Sequence, residues 1–237
     1  MLARLDYIRL QPRRILDAGS GPPRGELRKR YPKATAIALD FSRAMLARPR
    51  FFGWLAAGTR LAVCADVERL PLADAAVDLV WSNMTLHWLS DPLPALREFR
   101  RVLRPDGLLM FSTLGPDSLK ELRAAAGEGR VPRFIDMHDM GDMLLAVGLA
   151  APVMDMELIT FEYQDADTLL GDLRGSGQTS ARADRPRGLA GRGFAERLRR
   201  ALGERPKATY EIVYGHAWQR PAPQPDVKTV RVFKNIS

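Results

Sequence analysis

The chain has 237 residues, of which 46% are hydrophobic and 27% charged, enough for one large domain with a full core. No apolar run approaches the roughly 20 residues that cross a bilayer, and Arg4, Asp6 and Arg9 exclude a secretory signal core, so we expect a cytoplasmic protein. The formal net charge of +8 indicates an anionic partner, and charge alone leaves nucleic acid, membrane headgroups and an acidic protein eligible.

Short apolar runs alternate with segments of helical character through the first half of the chain. Strands are predicted at 14–18, 34–39, 59–65, 76–81 and 107–113, and helices at 25–31, from Ser42 onward and at 92–103. Strands that read as continuous apolar runs between helices indicate a parallel sheet buried on both faces, which is a doubly wound α/β fold.

The second half of the chain is less regular. Helices are predicted at 117–126, 138–147 and 166–173, and strands at 156–163 and 209–218. Residues 175–193 contain glycine, serine and proline at the density of a loop, so we expect a mobile surface segment there. We interpret the chain as one domain with a cofactor-binding half at 1–113, a specificity half at 114–218 and a tail at 219–237.

A glycine turn follows the first predicted strand, where Asp17 precedes Gly19 and Gly21. Glycines let the backbone approach a ligand closely, and amides at the start of the next helix can receive a carboxylate. Asp40 ends the second strand about 20 residues further on, the spacing at which an acidic side chain accepts hydrogen bonds from ribose hydroxyls.

The next two strands also end in polar side chains. Asp66 is placed to accept from an adenine amine with Val67 beside the ring, and Asn83 is expected near the reactive end of the ligand. Each feature has a structural alternative, since a Gly-x-Gly turn is common and Asp40 is equally suited to cap the following helix. Because these features occur together and at successive strand ends, they favour a nucleoside site.

The glycine turn distinguishes between two classes of nucleoside cofactor. A nicotinamide dehydrogenase carries a third glycine, whereas here Pro22, Pro23 and Arg24 follow Gly21, which favours S-adenosylmethionine. Pro23 also removes an amide donor and fixes φ, and a reduced cofactor affinity would follow. The only cysteine, Cys64, excludes an internal disulfide, and its apolar neighbours predict a buried structural thiol with no metal site.

Several longer motifs carry a family resemblance. LDAGSG at 16–21 and ALDFSRAML at 38–46 are shared by many methyltransferases, whereas narrower motifs are found at 81–88 (WSNMTLHW), 111–123 (FSTLGPDSLKELR), 134–142 (FIDMHDMGD), 152–157 (PVMDME) and 208–218 (ATYEIVYGHAW). On these motifs, residues 15–218 resemble the malonyl-acyl-carrier-protein O-methyltransferases of biotin synthesis. The resemblance implies a Rossmann-like, seven-stranded, mostly parallel sheet with an antiparallel last strand and a helical insertion on the substrate side.

The resemblance also implies an activity, which is methyl transfer from S-adenosylmethionine to the malonyl carboxylate on an acidic acyl carrier protein. Cofactor contacts are expected from Asp17, Gly19, Gly21, Asp40, Phe41, Met45, Asp66, Val67 and Asn83. Candidate substrate contacts are Trp88, Arg133, Phe134, His138 and Arg192. No catalytic base is expected, because a carboxyl group with a pKa of about 4 is ionised at neutral pH.

The arginine-rich stretch at 182–207 is expected to steer the carrier protein, although a solvated face is an equal interpretation. Its one stacking aromatic, Phe194, disfavours a nucleic-acid partner, and we expect a monomer without membrane contact. Residues 1–6 resemble the end of the helical lid that begins this family. The missing lid and Pro23 keep open a weakly active or non-catalytic adaptor, and the 78–88 motif also resembles a methyltransferase-fold protein hydroxylase.

Overall fold

The computed structural model describes residues 1–22, 25–46, 60–127, 129–177 and 192–221. The strands are β1 (Arg14–Ala18), β2 (Thr35–Asp40), β3 (Arg60–Cys64), β4 (Val77–Asn83), β5 (Leu103–Leu114), β6 (Ala150–Glu162) and β7 (Lys207–Trp218). The α-helices are α1 (Glu26–Arg30), α2 (Arg43–Leu46), α3 (Leu93–Val102), α4 (Lys120–Ala126), α5 (Met137–Ala146), α6 (Ala166–Gly175) and α7 (Arg192–Leu202). Short 3₁₀ turns lie at Leu2–Tyr7 and Leu86–Trp88.

All of these strands belong to a seven-stranded sheet in the order β3-β2-β1-β4-β5-β7-β6. The strands from β3 to β5 pair in parallel, and β7 pairs antiparallel with both β5 and β6. The predicted α/β fold with an antiparallel last strand is therefore confirmed. The chain leaves β1 toward β2 and β3 and returns on the other side at β4, so the strand order reverses between β1 and β4.

Helices cover both faces of the sheet. On one face, Leu27 and Tyr31 of the α1 region pack with Leu5 of the first 3₁₀ turn against β1 and β4. On the other face, α3 buries Leu96 and Phe99 completely, in a cluster that includes Leu144 of α5. Apolar residues at helical spacing produce these buried stripes, and each fully buried side chain stabilises the fold by about 1.5–3 kcal/mol.

A further cluster connects the helices of the second half. Leu119, Leu169, Leu173 and Ala208 are buried together beside β7, and Leu202 of α7 packs against them. These helices form the substrate-side insertion that the resemblance implied. None of the described helices is long and apolar enough to cross a membrane.

Strand β6 begins earlier than predicted, at Ala150 instead of residue 156. The strand thus includes Pro152, although proline cannot donate to a ladder. The sheet tolerates it because β6 is an edge strand and because its pairing with β7 is irregular between Ala150 and Val153.

Helix α7 was not predicted from the sequence. Phe194, Leu198 and Leu202 recur at a spacing of four residues, a helical period that the density of arginine obscured. The basic stretch is therefore partly a helix, while residues 178–191 of the predicted mobile segment and the apolar run at 230–233 lie outside the described residues.

The prediction of a buried thiol at Cys64 is wrong. Cys64 is exposed, and its Sγ lies 3.4 Å from the carbonyl oxygen of Phe41. The apolar run does form a strand, but β3 is at the edge of the sheet, where a side chain has neighbours on one flank only.

Candidate active site

A cleft of about 1320 Å³ opens at the carboxyl ends of the strands around the β1–β4 reversal. Ligands of open α/β sheets bind at such a reversal, and a cleft above the ~300–1,000 Å³ of a typical small-molecule site has room for two reactants. The structure brings the nine predicted cofactor residues together along its wall: Asp17, Gly19, Gly21, Asp40, Phe41, Met45, Asp66, Val67 and Asn83.

The glycine turn is attached to the end of β2. The backbone N–H groups of Gly19 and Ser20 both donate to the carbonyl oxygen of Leu39, at 2.8 and 2.9 Å. The N–H of Gly21 donates to Asp40 Oδ2 at 2.9 Å. These contacts hold the loop across the end of the neighbouring strand, so its backbone faces the cleft.

Thr85 holds the other side of the glycine turn and was not anticipated from the sequence. Its hydroxyl donates to the carbonyl oxygen of Ala18 at 3.1 Å. Gly19 has φ +71°, and a Cβ added there would lie 2.0 Å from Thr85 Oγ1. Only glycine fits between β1 and the segment after β4, since both the backbone conformation and the space exclude a side chain.

Asp40 accepts hydrogen bonds from two backbone N–H groups and keeps acceptor sites for a ligand. Its Oδ2 accepts from Gly21, and its Oδ1 accepts from the N–H of Ser42 at 2.8 Å, just before α2. A carboxylate offers roughly four acceptor sites, so about two remain for hydroxyl groups. Asp40 therefore holds the turn before α2 and bonds no amide within the helix, and this turn bond is compatible with the ribose interpretation.

Asp66 has a similar environment beyond β3. Its Oδ1 accepts from the N–H of Glu68 at 2.9 Å, and Val67 beside it is only 7% exposed. On this side of the cleft, two large apolar side chains are open to solvent, namely Phe41 (79% exposed) and Met45 (47%). Exposed apolar surface beside a concave polar wall is typical of a ligand site, here one that suits an aromatic base and its sugar.

The β4 side of the cleft differs in character. Asn83 ends β4, and its Oδ1 accepts from Ser112 Oγ at 2.7 Å. Trp88 is 52% exposed at the cleft, and a Cβ on Gly177 would lie 3.4 Å from its ring. The wall on this side consists of uncharged residues, namely Trp81, Asn83, Met84, Thr85, Trp88, Leu89, Ser176 and Gly177.

The candidate substrate residues fall in different places. Trp88 lines the cleft, whereas Phe134 is behind it, with its ring 6.2 Å from that of His87. Arg133 and His138 are exposed and do not line the cleft. His138 instead lies in the first turn of α5, where Asp136 is the N-cap and accepts from both the backbone N–H and Nδ1 of His138. The side chain of Arg192 lies outside the described residues.

His87 lies beneath the cleft wall, with its ring 5.0 Å from that of Trp88. Its Nδ1 is buried without a hydrogen-bond partner in the described structure, and burial lowers the pKa of His87 to about 4. The imidazole is therefore neutral at physiological pH, as its apolar contacts require.

This lowered pKa makes the stability depend on pH. The unfolded chain binds the proton near pH 6.5 and the folded chain only near pH 4, so stability is lost as the pH falls through that window. We expect the free energy of unfolding to drop by about 2 kcal/mol more in the wild type than in His87→Leu between pH 7 and pH 5. Urea unfolding at both pH values measures this, and equal pH slopes would show that His87 is not a buried neutral group.

No group of three His, Cys, Asp or Glu side chains is placed to hold a metal ion within the described part of the chain. The site therefore consists of backbone amides, carboxylates and apolar walls arranged along successive strand ends.

Comparison with known proteins agrees with this geometry. Residues 16–111 match a family described as Methyltransferase domain. Among solved structures, YcgJ of Bacillus subtilis has a TM-score of 0.67 at 17% identity, covering 93% of this chain and 97% of that one. Phosphoethanolamine N-methyltransferase 2 of Haemonchus contortus, in complex with S-adenosylhomocysteine, has a TM-score of 0.56 at 14% identity, covering 93% of this chain and 52% of that one. The fold and the matched domain thus place this chain in the class of α/β methyltransferase-domain proteins.

The particular family follows from closer relatives. The malonyl-acyl-carrier-protein O-methyltransferase of Laribacter hongkongensis is 49% identical over 243 residues, which is 95% of this chain and 82% of that protein. The enzyme of the same name from Methylovorus is 47% identical over 239 residues, or 92% of this chain and 79% of that protein. The chain belongs to the malonyl-acyl-carrier-protein O-methyltransferase family.

Proposed function

We propose that this protein transfers a methyl group from S-adenosylmethionine to the free carboxylate of malonyl bound to acyl carrier protein. The product is the malonyl methyl ester, which the family resemblance connects with pimeloyl assembly in cytoplasmic biotin synthesis. The observation that carries the proposal is one cleft that joins a nucleoside wall on β1–β3 to an uncharged wall beyond β4.

The nucleoside wall fits the chemistry of the cofactor. Asp40 has acceptor capacity for the ribose hydroxyls, and Asp66 accepts from the adenine amine beside Val67. Phe41 and Met45 offer the apolar contact that a purine requires. Gly21 has no atom within 4 Å of the place where a Cβ would stand, so its backbone borders open space in the cleft.

When bound, the cofactor supplies an electrophilic methyl group on a positively charged sulfur. The malonyl carboxylate is ionised at neutral pH and needs no base, so the residues of this chain orient the reactants, which contributes up to ~7–11 kcal/mol in well-aligned systems. Opposite charges cancel as the methyl moves, and a dry, uncharged wall therefore favours the transition state over the ionic ground state.

The malonyl group would reach this wall past Trp88 and Gly177. Trp88 closes the outer side of the cleft, because its ring lies against the chain that leaves α6. An extended pantetheine arm would run along this opening, with the carrier protein docked outside it.

Helix α7 offers a basic surface for the proposed acidic carrier protein. Arg197 and Arg200 are exposed, whereas Arg199 pairs with Asp167 at 2.9 Å. Exposed charges attract a partner over roughly the Debye length, about 8 Å at physiological salt, so carrier binding is expected to weaken as salt rises.

Reversing two of these charges tests the docking surface. We expect Arg197→Glu/Arg200→Glu to raise the KM for malonyl carrier protein about 10-fold at low salt and less at high salt, with cofactor affinity unchanged. The matched control is Arg9→Glu/Arg13→Glu, which makes the same charge change at exposed positions before β1, at the amino end of this strand and away from the cleft. Equal effects of both pairs would show that net charge alone matters.

The proposed function has a direct assay. Purified chain, malonyl carrier protein and methyl-labelled S-adenosylmethionine are expected to give labelled carrier protein, and mild base should release the label as methanol, as it does from a methyl ester. Failure to bind S-adenosylmethionine in calorimetry at millimolar ligand would instead identify a non-catalytic adaptor, and labelling of free carrier protein would point to a different acceptor.

A further inference from the structure

Beside the cleft, the side chains of Asn83 at the end of β4 and Ser112 near the end of β5 are hydrogen-bonded to each other. Ser112 is 1% exposed, and its Oγ lies 2.7 Å from Asn83 Oδ1. The backbone N–H of Met84 donates to the same Oγ at 3.1 Å. The Ser112 hydroxyl thus accepts from Met84 and donates to Asn83, so the carboxamide oxygen of Asn83 faces Ser112.

The other end of the carboxamide, the NH₂ group, is then directed away from Ser112. Asn83 is exposed on the cleft wall, and within the described residues its Nδ2 has no hydrogen-bond partner. An amide nitrogen carries two donors and no acceptor. The two N–H groups of Asn83 Nδ2 are therefore uncharged donors at the cleft, and they have no acceptor among the described residues.

The position of this donor pair indicates what it meets. Asp40 and Asp66 place the nucleoside over β2 and β3, and the glycine turn of β1 lies next in the sheet. Asn83 ends β4, one strand further, with Trp88 beyond it. A methyl donor that spans β3 to β1 thus presents its reactive end beside Asn83, where the acceptor arrives from the Trp88 side.

Two other hydroxyl groups on this wall donate hydrogen bonds to backbone carbonyl oxygens. Thr85 Oγ1 donates to Ala18 at 3.1 Å, and Ser176 Oγ donates to Leu173 at 3.2 Å. Asn83 is a neutral side chain at the end of β4, and it offers two donors on the cleft wall. A neutral donor orients a carboxylate without the strong counter-charge that would stabilise the ionic ground state.

We propose that Asn83 Nδ2 donates to one oxygen of the methyl-accepting carboxylate and that Ser112 is the positioning residue that holds the carboxamide in this orientation. The inference rests on the proposed function. One lone pair of the other carboxylate oxygen forms the new O–CH₃ bond, the S–CH₃ bond breaks, and its electron pair stays on sulfur to give a neutral thioether. No proton is transferred.

Substitutions at Asn83 separate its two hydrogen-bonding roles. Asn83→Asp keeps an oxygen that accepts from Ser112 but replaces the donor by a like charge, and Asn83→Ala removes both. We expect kcat/KM for malonyl carrier protein to fall about 10- to 100-fold in Asn83→Ala, the range of one hydrogen bond to a charged group, and further in Asn83→Asp. The inference moves Asn83 from the expected cofactor contacts to the acceptor, so affinity for S-adenosylmethionine, measured by calorimetry, should change much less than kcat/KM, and this binding also confirms that both variants fold.

Ser112→Ala tests the positioning role. Met84 keeps a bond to the carbonyl oxygen of Ser112 at 3.0 Å, so the turn has a remaining anchor. We expect a loss in kcat smaller than that of Asn83→Ala, and no further loss when Ser112→Ala is added to Asn83→Ala, because the two side chains act as one unit. Additive losses would assign Ser112 a merely structural role.

The outcomes distinguish this inference from the proposed function. A wild-type chain that binds S-adenosylmethionine but leaves malonyl carrier protein unmethylated contradicts the proposed function itself. If the wild type is active and Asn83→Asp retains its turnover, the donor role is wrong. If the Asn83 variants lose affinity for S-adenosylmethionine while the KM of the acceptor is unchanged, Asn83 binds the methyl donor and the inference is overturned.

Discussion

Replacing Gly19 by alanine is expected to destabilise the protein by about 2–5 kcal/mol, the sum of left-handed backbone strain and overpacking, and to abolish binding of S-adenosylmethionine. Gly19 has φ +71°, and its added Cβ would stand 2.0 Å from Thr85 Oγ1 and 2.5 Å from Thr85 Cγ2. The strand end and the segment after β4 must then separate, which moves the glycine turn. Urea unfolding measures the stability, and calorimetry measures the binding.

Gly21→Ala is the matched control for this prediction. Gly21 has φ +56° but no atom within 4 Å of its added Cβ, so the variant carries the backbone strain without the clash. We expect a stability loss of only about 1–2 kcal/mol. If both variants lose the same stability, the contact between Gly19 and Thr85 is not what requires glycine.

Replacing Asp40 by alanine is expected to weaken S-adenosylmethionine binding by about 100-fold or more, because two hydrogen bonds between a charged group and the ribose would be lost. The variant also removes the acceptor for Gly21 at 2.9 Å, which frees the loop that faces the ligand. Calorimetric titration with S-adenosylmethionine or its product measures the change in affinity.

Asp91 offers a control for the backbone bond that Asp40 makes at the start of its helix. Its Oδ1 accepts from the N–H of Leu93 at 2.9 Å, ahead of α3, as Asp40 accepts from Ser42 ahead of α2. Asp91 does not line the cleft, so Asp91→Ala should cost about 1 kcal/mol of stability and leave binding intact. Comparable losses of affinity in the two variants would leave Asp40 with a structural role only.

The convergence of four polar side chains at one cleft could be predicted because its signals are local. Asp17, Asp40, Asp66 and Asn83 each follow an apolar run, and in a parallel sheet the ends of such runs meet at one edge. This prediction required no knowledge of distances or of hydrogen-bond partners. The observed strand order then shows the reversal between β1 and β4, beside which the cleft opens.

The residues that sequence reasoning missed act through tertiary contacts. Nothing in the local sequence around Thr85 indicates that it holds the glycine turn. That role depends on Gly19, 66 positions earlier, lying against its side chain, and on the hydrogen bond to Ala18, 67 positions earlier. Ser112 gives a weak local signal, since it is a polar residue inside an apolar strand, and such a residue needs a partner. The partner itself, Asn83, is visible only once β4 and β5 are paired.

Strand β7 comes last among the strands in the chain but lies between β5 and β6 in the sheet. During synthesis, β6 emerges from the ribosome without a neighbour, and it joins the sheet only after Lys207–Trp218 has followed. Such pairings between distant segments form slowly. A nascent chain therefore completes the half proposed to hold the methyl donor well before the half proposed to receive its acceptor, and premature termination before β7 would leave β6 as an unpaired, aggregation-prone segment.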